Sequence, residues 1–199
     1  LEPAAISFDA PPAKSVELIT SSYDRRELIS RLYGIDDVIM LHFDESLRKM
    51  DWESFIDRLT VELDAGYLVA GYDFRFGYMG LGDAEKLKKR SDELGIGCEI
   101  LGKVTLDGVT VSSTRIRELI SAGEMEEALR FLGHPYSLSD SVRHGRRLGR
   151  TLGFPTVNLR FSPGVLVPKY GVYAAYAHLP EGESLPSVAN IGVKPTVAD

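Results

Sequence analysis

Short apolar runs alternate with helical patterns along the first two-thirds of the chain. Ala4-Ala5-Ile6-Ser7-Phe8 predicts a strand, Asp24–Leu32 a helix, Asp37–Leu41 a strand and Trp52–Leu63 a helix. The order continues with a strand at Tyr67–Ala70, a helix at Ala84–Leu94 and a strand at Ile96–Leu101. Two short helices follow at Arg115–Ile120 and Met125–Leu132. Strands that take turns with helices pair in parallel, because a parallel pair needs a crossover and a helix supplies it. The expected fold class is therefore α/β with a parallel sheet. After Gly133-His134-Pro135 the texture changes: glycine or proline recurs every few residues, and strand-like runs stand at Val172–Ala177 and Ser187–Ile191. No long amphipathic helix can be drawn there, which favours a small β-barrel or sandwich with its boundary near His134–Ser137.

Charge supports a division at that point. Residues 1–133 carry a formal net charge of −9 and residues 134–199 one of +3, within a total of −6. Two domains, 1–133 and 134–199, are expected. With 44% hydrophobic residues the composition is ordinary for a globular chain. The single cysteine, Cys98, excludes an internal disulfide, and beside scattered histidines it makes a poor zinc site. No stretch reaches the roughly 18 consecutive apolar residues of a membrane span, and no basic leader with an apolar core opens the chain. A cytoplasmic protein is expected. The chain starts at Leu1 almost directly in a strand and stops at Asp199 without any tapering of structure, so both ends are expected to be cut. There is no internal repeat and no low-complexity tail.

Three segments carry candidate chemistry. The strand at Tyr67–Ala70 runs into Gly71-Tyr72-Asp73-Phe74-Arg75-Phe76-Gly77, followed by Gly80 and Gly82. Loops leaving the carboxyl ends of parallel strands build ligand crevices. Here glycines admit close approach, Tyr72, Phe74 and Phe76 offer rings for stacking, and Arg75 suits a phosphate. A glycine-rich turn with its aromatics plugged into the core is the equal alternative. In the second segment, Ser112-Ser113-Thr114 precedes a helical pattern containing Arg115 and Arg117. One hydroxyl caps the helix, and the remaining N–H groups, hydroxyls and Arg117 make a phosphate site. The face used by Ile116 and Leu119 cannot also hold both arginines, so one is expected over a nucleotide and the other in solvent.

The third segment runs from Arg143 through Gly145, Gly149, Arg150, Gly153 and Pro155 to Thr156 and Asn158. Its glycine spacing suits a wrap around a di- or triphosphate, with a solvated basic loop and a weak RNA contact as alternatives. Thr156 and Asn158, two apart on an expected strand, project to one side as hard oxygen donors for Mg2+ or hydrogen-bond partners for phosphate. His42, His134, His144 and His178 stand at no metal-ligand or catalytic spacing and are assigned no chemistry.

These motifs, in this order, resemble the bacterial bifunctional riboflavin kinase/FMN adenylyltransferase family, the FAD synthetases. Ala4–Pro12 is similar to the strand and proline-rich segment after the family's first nucleotide motif. Gly71–Gly77 resembles its flavin-side loop, and Ser112–Arg117 its second nucleotide signature. Residues Gly149-Arg150, Gly153–Asn158, Pro168–Tyr173 and Ala189–Thr196 follow the riboflavin kinase pattern. The resemblance implies a Rossmann-like domain that transfers AMP from ATP to FMN, then a flavokinase β-barrel that phosphorylates riboflavin. ATP and riboflavin or FMN would be substrates, FAD the product and Mg2+ the metal. Ser112, Ser113, Thr114 and Arg117 would hold ATP in the first site, with Gly71, Asp73, Phe74, Arg75, Phe76 and Gly77 shaping the flavin and nucleotide region. Gly145, Gly149, Arg150, Gly153, Pro155, Thr156 and Asn158 would hold it in the second, with Thr156 and Asn158 at the metal.

The chain departs from the family pattern in three ways. The family's His-x-Gly-His pair lies upstream of this stretch, and the kinase's glutamate base lies downstream. No catalytic residue is therefore assigned within it. Thr110 stands where relatives often carry a basic residue, which weakens the expected phosphate grip. Small-molecule partners are expected, with no membrane and no nucleic acid; self-association stays open. The competing readings are a nucleotidyltransferase acting on another acceptor alone and a noncatalytic nucleotide- or RNA-binding adaptor.

Overall fold

The computed structural model describes residues 2–9, 16–143 and 156–192. The chain divides into two compact units, Leu1–Val111 and Ser112–Asp199.

In the first unit, β1 (Ala4–Phe8) pairs in parallel with β2 (Asp37–Leu41), and α1 (Ser22–Tyr33) is the crossover between them. α1 starts at Ser21, whose hydroxyl accepts from the Asp24 amide at 3.0 Å and donates to the Asp24 carboxylate at 2.6 Å. That reciprocal arrangement satisfies one of the open amides of the first turn and buries Asp24 with a partner. β3 (Tyr67–Gly71) and β4 (Gly97–Leu101) form the second parallel pair, joined by α4 (Ala84–Leu94). The alternation predicted from sequence is thus present, but as two separate two-stranded ladders among the described residues, not one continuous sheet.

Between the pairs the chain forms α2 (Glu45–Lys49) and α3 (Trp52–Asp57), the latter running into a π-helical turn over Arg58–Glu62. The expected single helix from Trp52 to Leu63 is therefore broken. Thr60 lies at the break, and its hydroxyl donates back to the Ile56 and Asp57 carbonyls, competing with regular helix bonding. A short hairpin of β5 (Thr105–Leu106) and β6 (Val109–Thr110) turns at Asp107-Gly108, both with positive φ, as a tight two-residue hairpin requires. One apolar cluster holds this unit together: Leu47, Phe55, Ile56, Leu59, Leu68, Phe76 and Leu87, with Phe8 and Leu41 packed on it from one strand pair and Ile100 from the other.

The second unit begins with α5 (Ser113–Ala122) and α6 (Met125–Leu132), which pack through Ile116, Leu119, Ile120, Ala128 and Phe131. The Lys169 amide donates to the Ile120 carbonyl at 3.3 Å, and the Tyr136 hydroxyl to Leu166 at 2.7 Å, tying the segment with buried Val165 and Leu166 to the helical pair. β7 (Gly171–His178) and β8 (Ser184–Ile191) form an antiparallel ladder along their full length. β8 is three residues longer at its start than predicted. Among the described residues this ladder closes into no barrel.

Candidate functional site

The loop leaving β3 is built on four backbone bonds. The Tyr72 amide donates to Leu101 at 2.9 Å, Phe74 to Gly71 at 3.1 Å, and Phe76 and Gly82 exchange bonds at 3.3 and 2.8 Å. This closed turn presses Phe76 into the core, tilted against Phe55 at 5.4 Å and stacked on Phe74 at 5.2 Å between ring centroids. The Phe76 ring is 5% exposed, so its faces already have partners. Tyr72 and Asp73 are exposed instead. Arg75 extends into solvent and reaches Asp83 at 3.5 Å. Asp83 caps α4 by accepting from the Lys86 amide at 2.9 Å, which holds its carboxyl below the usual carboxylate range, assisted by the charges of Lys86 and Arg75. Gly71 and Gly77 mark the two ends of this turn.

Ser112 is the N-cap of α5, its hydroxyl accepting from the Arg115 amide at 3.2 Å. That leaves Ser113 and Thr114 exposed on the first turn, beside amides that have no partner within the helix. Arg115 turns toward Glu118 at 3.3 Å, while Arg117 is half-buried one position past the core residue Ile116. The helix start therefore offers two free hydroxyls and a positive dipole end, an arrangement suited to an anion.

In the third segment Thr156 is exposed and Asn158 half-buried, with Asn158 bridged to Arg143 through an N–H···O bond of 2.9 Å. Asp140 clips this region. It accepts from the Arg160 amide at 2.8 Å, Arg143 Nε at 3.2 Å and the Ser141 amide at 2.9 Å, and the Arg160 bond is the largest cause of its lowered pKa. Gly145, Gly149, Arg150, Gly153 and Pro155 lie outside the described residues. Among the described residues no cluster of three or more His, Cys, Asp or Glu side chains forms a metal cage. The oxygen donors of Thr156 and Asn158 are of the kind Mg2+ accepts, since that ion keeps waters and takes few protein ligands.

Sequence reasoning missed a pair at the carboxyl ends of β1 and β2. His42 Nδ1 lies 2.6 Å from Asp9 Oδ2, and the Asp9 amide donates to Leu41 at 3.1 Å. The hydrogen bond to Asp9, then the Asp9 charge, raise the His42 pKa above 6.5. Arg25 of α1 braces the same strand end, donating to Ser7 Oγ at 2.6 Å and the Phe8 carbonyl at 2.7 Å. Each of Asp9 and His42 stands one residue beyond a predicted strand, so parallel pairing in register was the available signal.

Residues 2–115 match the FAD synthetase family model and residues 132–199 the riboflavin kinase model. A bifunctional riboflavin kinase/FMN adenylyltransferase of Listeria monocytogenes is 35% identical over 206 residues, covering 100% of this chain and 65% of the relative. That of Pseudomonas fluorescens is 40% identical over 166 residues, covering 83% and 53%. The chain spans roughly half to two-thirds of the length of these curated relatives. Among solved structures, one described as a macrolide-efflux protein from Streptococcus pneumoniae superposes with a TM-score of 0.78 at 28% identity, covering 96% of this chain and 64% of that one. Among the described residues no helix is long and apolar enough to cross a membrane. With the first model spanning the β3 loop and the start of α5, the chain belongs to the FAD synthetase family, its second unit carrying riboflavin kinase sequence.

Proposed function

We propose that the protein to which this chain belongs makes flavin cofactors in two ATP-dependent steps: phosphorylation of riboflavin to FMN, and adenylylation of FMN to FAD with release of pyrophosphate. The observation that carries this reading is the tandem of the two family models on one chain. Residues 1–133 would form a Rossmann-like adenylyltransferase domain and 134–199 the start of a flavokinase barrel, working in the cytoplasm on small molecules.

In the first step a riboflavin hydroxyl attacks the γ-phosphorus of ATP and gives up its proton as the bond to the β-phosphate breaks and ADP leaves; in the second an FMN phosphate oxygen attacks the α-phosphorus as the α–β bond breaks and pyrophosphate leaves. Both leave charge on phosphoryl oxygens, so catalysis depends on positioning and on donors aimed at those oxygens. The Ser113 and Thr114 hydroxyls and the first-turn amides of α5 would hold ATP phosphates for adenylyl transfer, with Arg117 adding positive charge. Gly71, Asp73 and Phe74 would shape the acceptor region, Tyr72 offering the exposed ring that buried Phe76 does not. Thr156 and Asn158 would grip the phosphates of the kinase site together with Mg2+, which supplies charge neutralisation when bound.

The two-site reading is tested with single substitutions in the full-length protein. Asn158→Ala is expected to lower riboflavin phosphorylation roughly a hundredfold, the scale of losing one preorganised partner, with FMN adenylylation largely intact. Thr114→Ala is expected to do the reverse. Equal loss of both steps in both variants, measured by separating FMN, FAD and pyrophosphate, refutes separate sites.

A further inference from the structure

Arg143 and Asn158 form an isolated antiparallel bridge, in which the Arg143 amide donates to the Asn158 carbonyl at 2.9 Å. Along an antiparallel ladder the hydrogen-bonded pairs recur two residues further on each strand. The next rung would therefore join Ser141 to Arg160, each amide donating across to the other's carbonyl. Among the described residues that rung is absent. Its two amides turn instead to the carboxylate of Asp140: the Ser141 amide donates to Oδ1 at 2.9 Å and the Arg160 amide to Oδ2 at 2.8 Å. One side chain thus stands in for a backbone rung.

A third donor sets the direction of that carboxylate. Arg143 Nε donates to Oδ2 at 3.2 Å, so the oxygen that holds Arg160 is held in turn by the residue whose own amide holds Asn158. The Asp140 side chain is 18% exposed and that of Arg143 51%, which makes the carboxylate the inner partner. Asp140 keeps its charge there, because the bond from the Arg160 amide, then that from Arg143, lowers its pKa. An exposed ion pair by itself would contribute little. Here two of the three donors are backbone amides, and a charged acceptor makes each of those bonds stronger than a bond between neutral groups.

The two attachments lie on either side of the Asn158–Arg160 backbone. The Arg143 amide fixes the Asn158 carbonyl, and Asp140 fixes the amide two residues on. This stretch then cannot twist about its own axis without breaking one of them. A backbone rung would survive any change of side chain, whereas this one depends on a single residue.

We infer that Asp140 is a positioning residue for Asn158: by replacing the missing rung it fixes the backbone that aims the Asn158 amide at the phosphates of the kinase site. What Asn158 holds rests on the proposed function; how Asn158 is held rests on the bonds above. Asp140 touches no substrate in this role and acts through its neighbour. Misplacing a gripping group by about 1 Å can cost up to about a hundredfold.

Asp140→Ala and Asp140→Asn are made in the full-length protein, each alone and together with Asn158→Ala. Protection of the Arg160 amide from exchange is expected to fall about tenfold in Asp140→Ala, as its acceptor is removed. In Asp140→Asn, whose remaining oxygen still accepts, part of that protection should stay. In riboflavin phosphorylation the KM for ATP should rise about tenfold in Asp140→Ala and less in Asp140→Asn, the scale of a grip loosened but not lost. FMN adenylylation by the same proteins should be unchanged, which also shows that they are folded; should Asp140→Ala not fold, Asp140→Asn carries the same comparisons. On the Asn158→Ala background, Asp140→Ala should add less than about twofold, since a residue that acts through Asn158 has nothing left to position. Undiminished protection at Arg160, an unchanged KM despite lost protection, or full additivity with Asn158→Ala overturns the inference. Absence of riboflavin phosphorylation in the unsubstituted full-length protein overturns the proposed function instead, and exchange at Arg160 then decides whether Asp140 holds this strand.

Discussion

Gly77 and Gly34 both have positive φ but differ in ψ, 177° against 27°, and in surroundings, so a side chain is costly at each for different reasons. Gly34 caps α1 at φ 66° with nothing within 4 Å of a built Cβ, whereas Gly77 at φ 72° meets the Trp52 backbone at 2.7 Å. Gly34→Ala therefore carries only the left-handed penalty, about 1 kcal/mol. Gly77→Ala forces a side chain into a backbone region essentially confined to glycine and adds a clash with main chain that has no rotamer to move, for about 3 kcal/mol in all. Chemical denaturation of the two variants checks this, and equal losses would show that the α3 start yields. The His42–Asp9 pair makes a prediction of a different kind. Because the folded His42 pKa lies above 6.5, the folded state binds more proton than the unfolded state above that pH. The contribution of the pair is complete below pH 6.5 and is lost as pH rises through the folded pKa. His42→Asn should flatten the fall in thermal midpoint across that interval, and an unchanged profile would remove the pair from the account.

At the scale of elements, α5 places two roles on one helix start. Ser112→Ala removes the cap and should cost about 1 kcal/mol. Ser112→Asp restores a cap acceptor and the stability with it, but sets a carboxylate beside the proposed phosphate position. Recovery of stability without recovery of FMN adenylylation is expected; recovery of both would mean that the hydroxyl is purely a cap. Such caps and the strands around them were legible in the sequence: β1 and β2 match their predicted spans, and α4 matches its own, because each carries a clear period and a defined start. The short α2 and the β5–β6 hairpin were missed, since five residues and two give no period to read. The Asp107-Gly108 signal was nonetheless there. At the candidate site, the exposed hydroxyls after Ser112 followed from capping logic. The burial of Phe76 did not, because an aromatic in a glycine-rich loop packs inward or outward according to tertiary neighbours such as Phe55.

On the scale of the whole molecule, pairing is the property that local pattern leaves open. Alternating strands and helices imply parallel neighbours, but which ladders join depends on edges that period cannot specify. Among the described residues of the first unit the two ladders stand apart in hydrogen bonding and meet through side chains: Phe8 and Leu41 from one, Leu68 and Ile100 from the other, all on the cluster around Phe55 and Ile56. The shared cluster is thus the contact, among the described residues, through which stability passes from one ladder to the other. Ile56 has no exposed surface, and Ile56→Ala would leave a cavity costing about 2 to 5 kcal/mol. If the cluster couples the ladders, amide exchange protection falls together, by a similar factor, at Ile6 and Ile39 in β1–β2 and at Val69 and Glu99 in β3–β4. Loss confined to the β3–β4 ladder would show two independently stable halves, and the loop beyond β3 would then open without disturbing the His42–Asp9 end of the other pair.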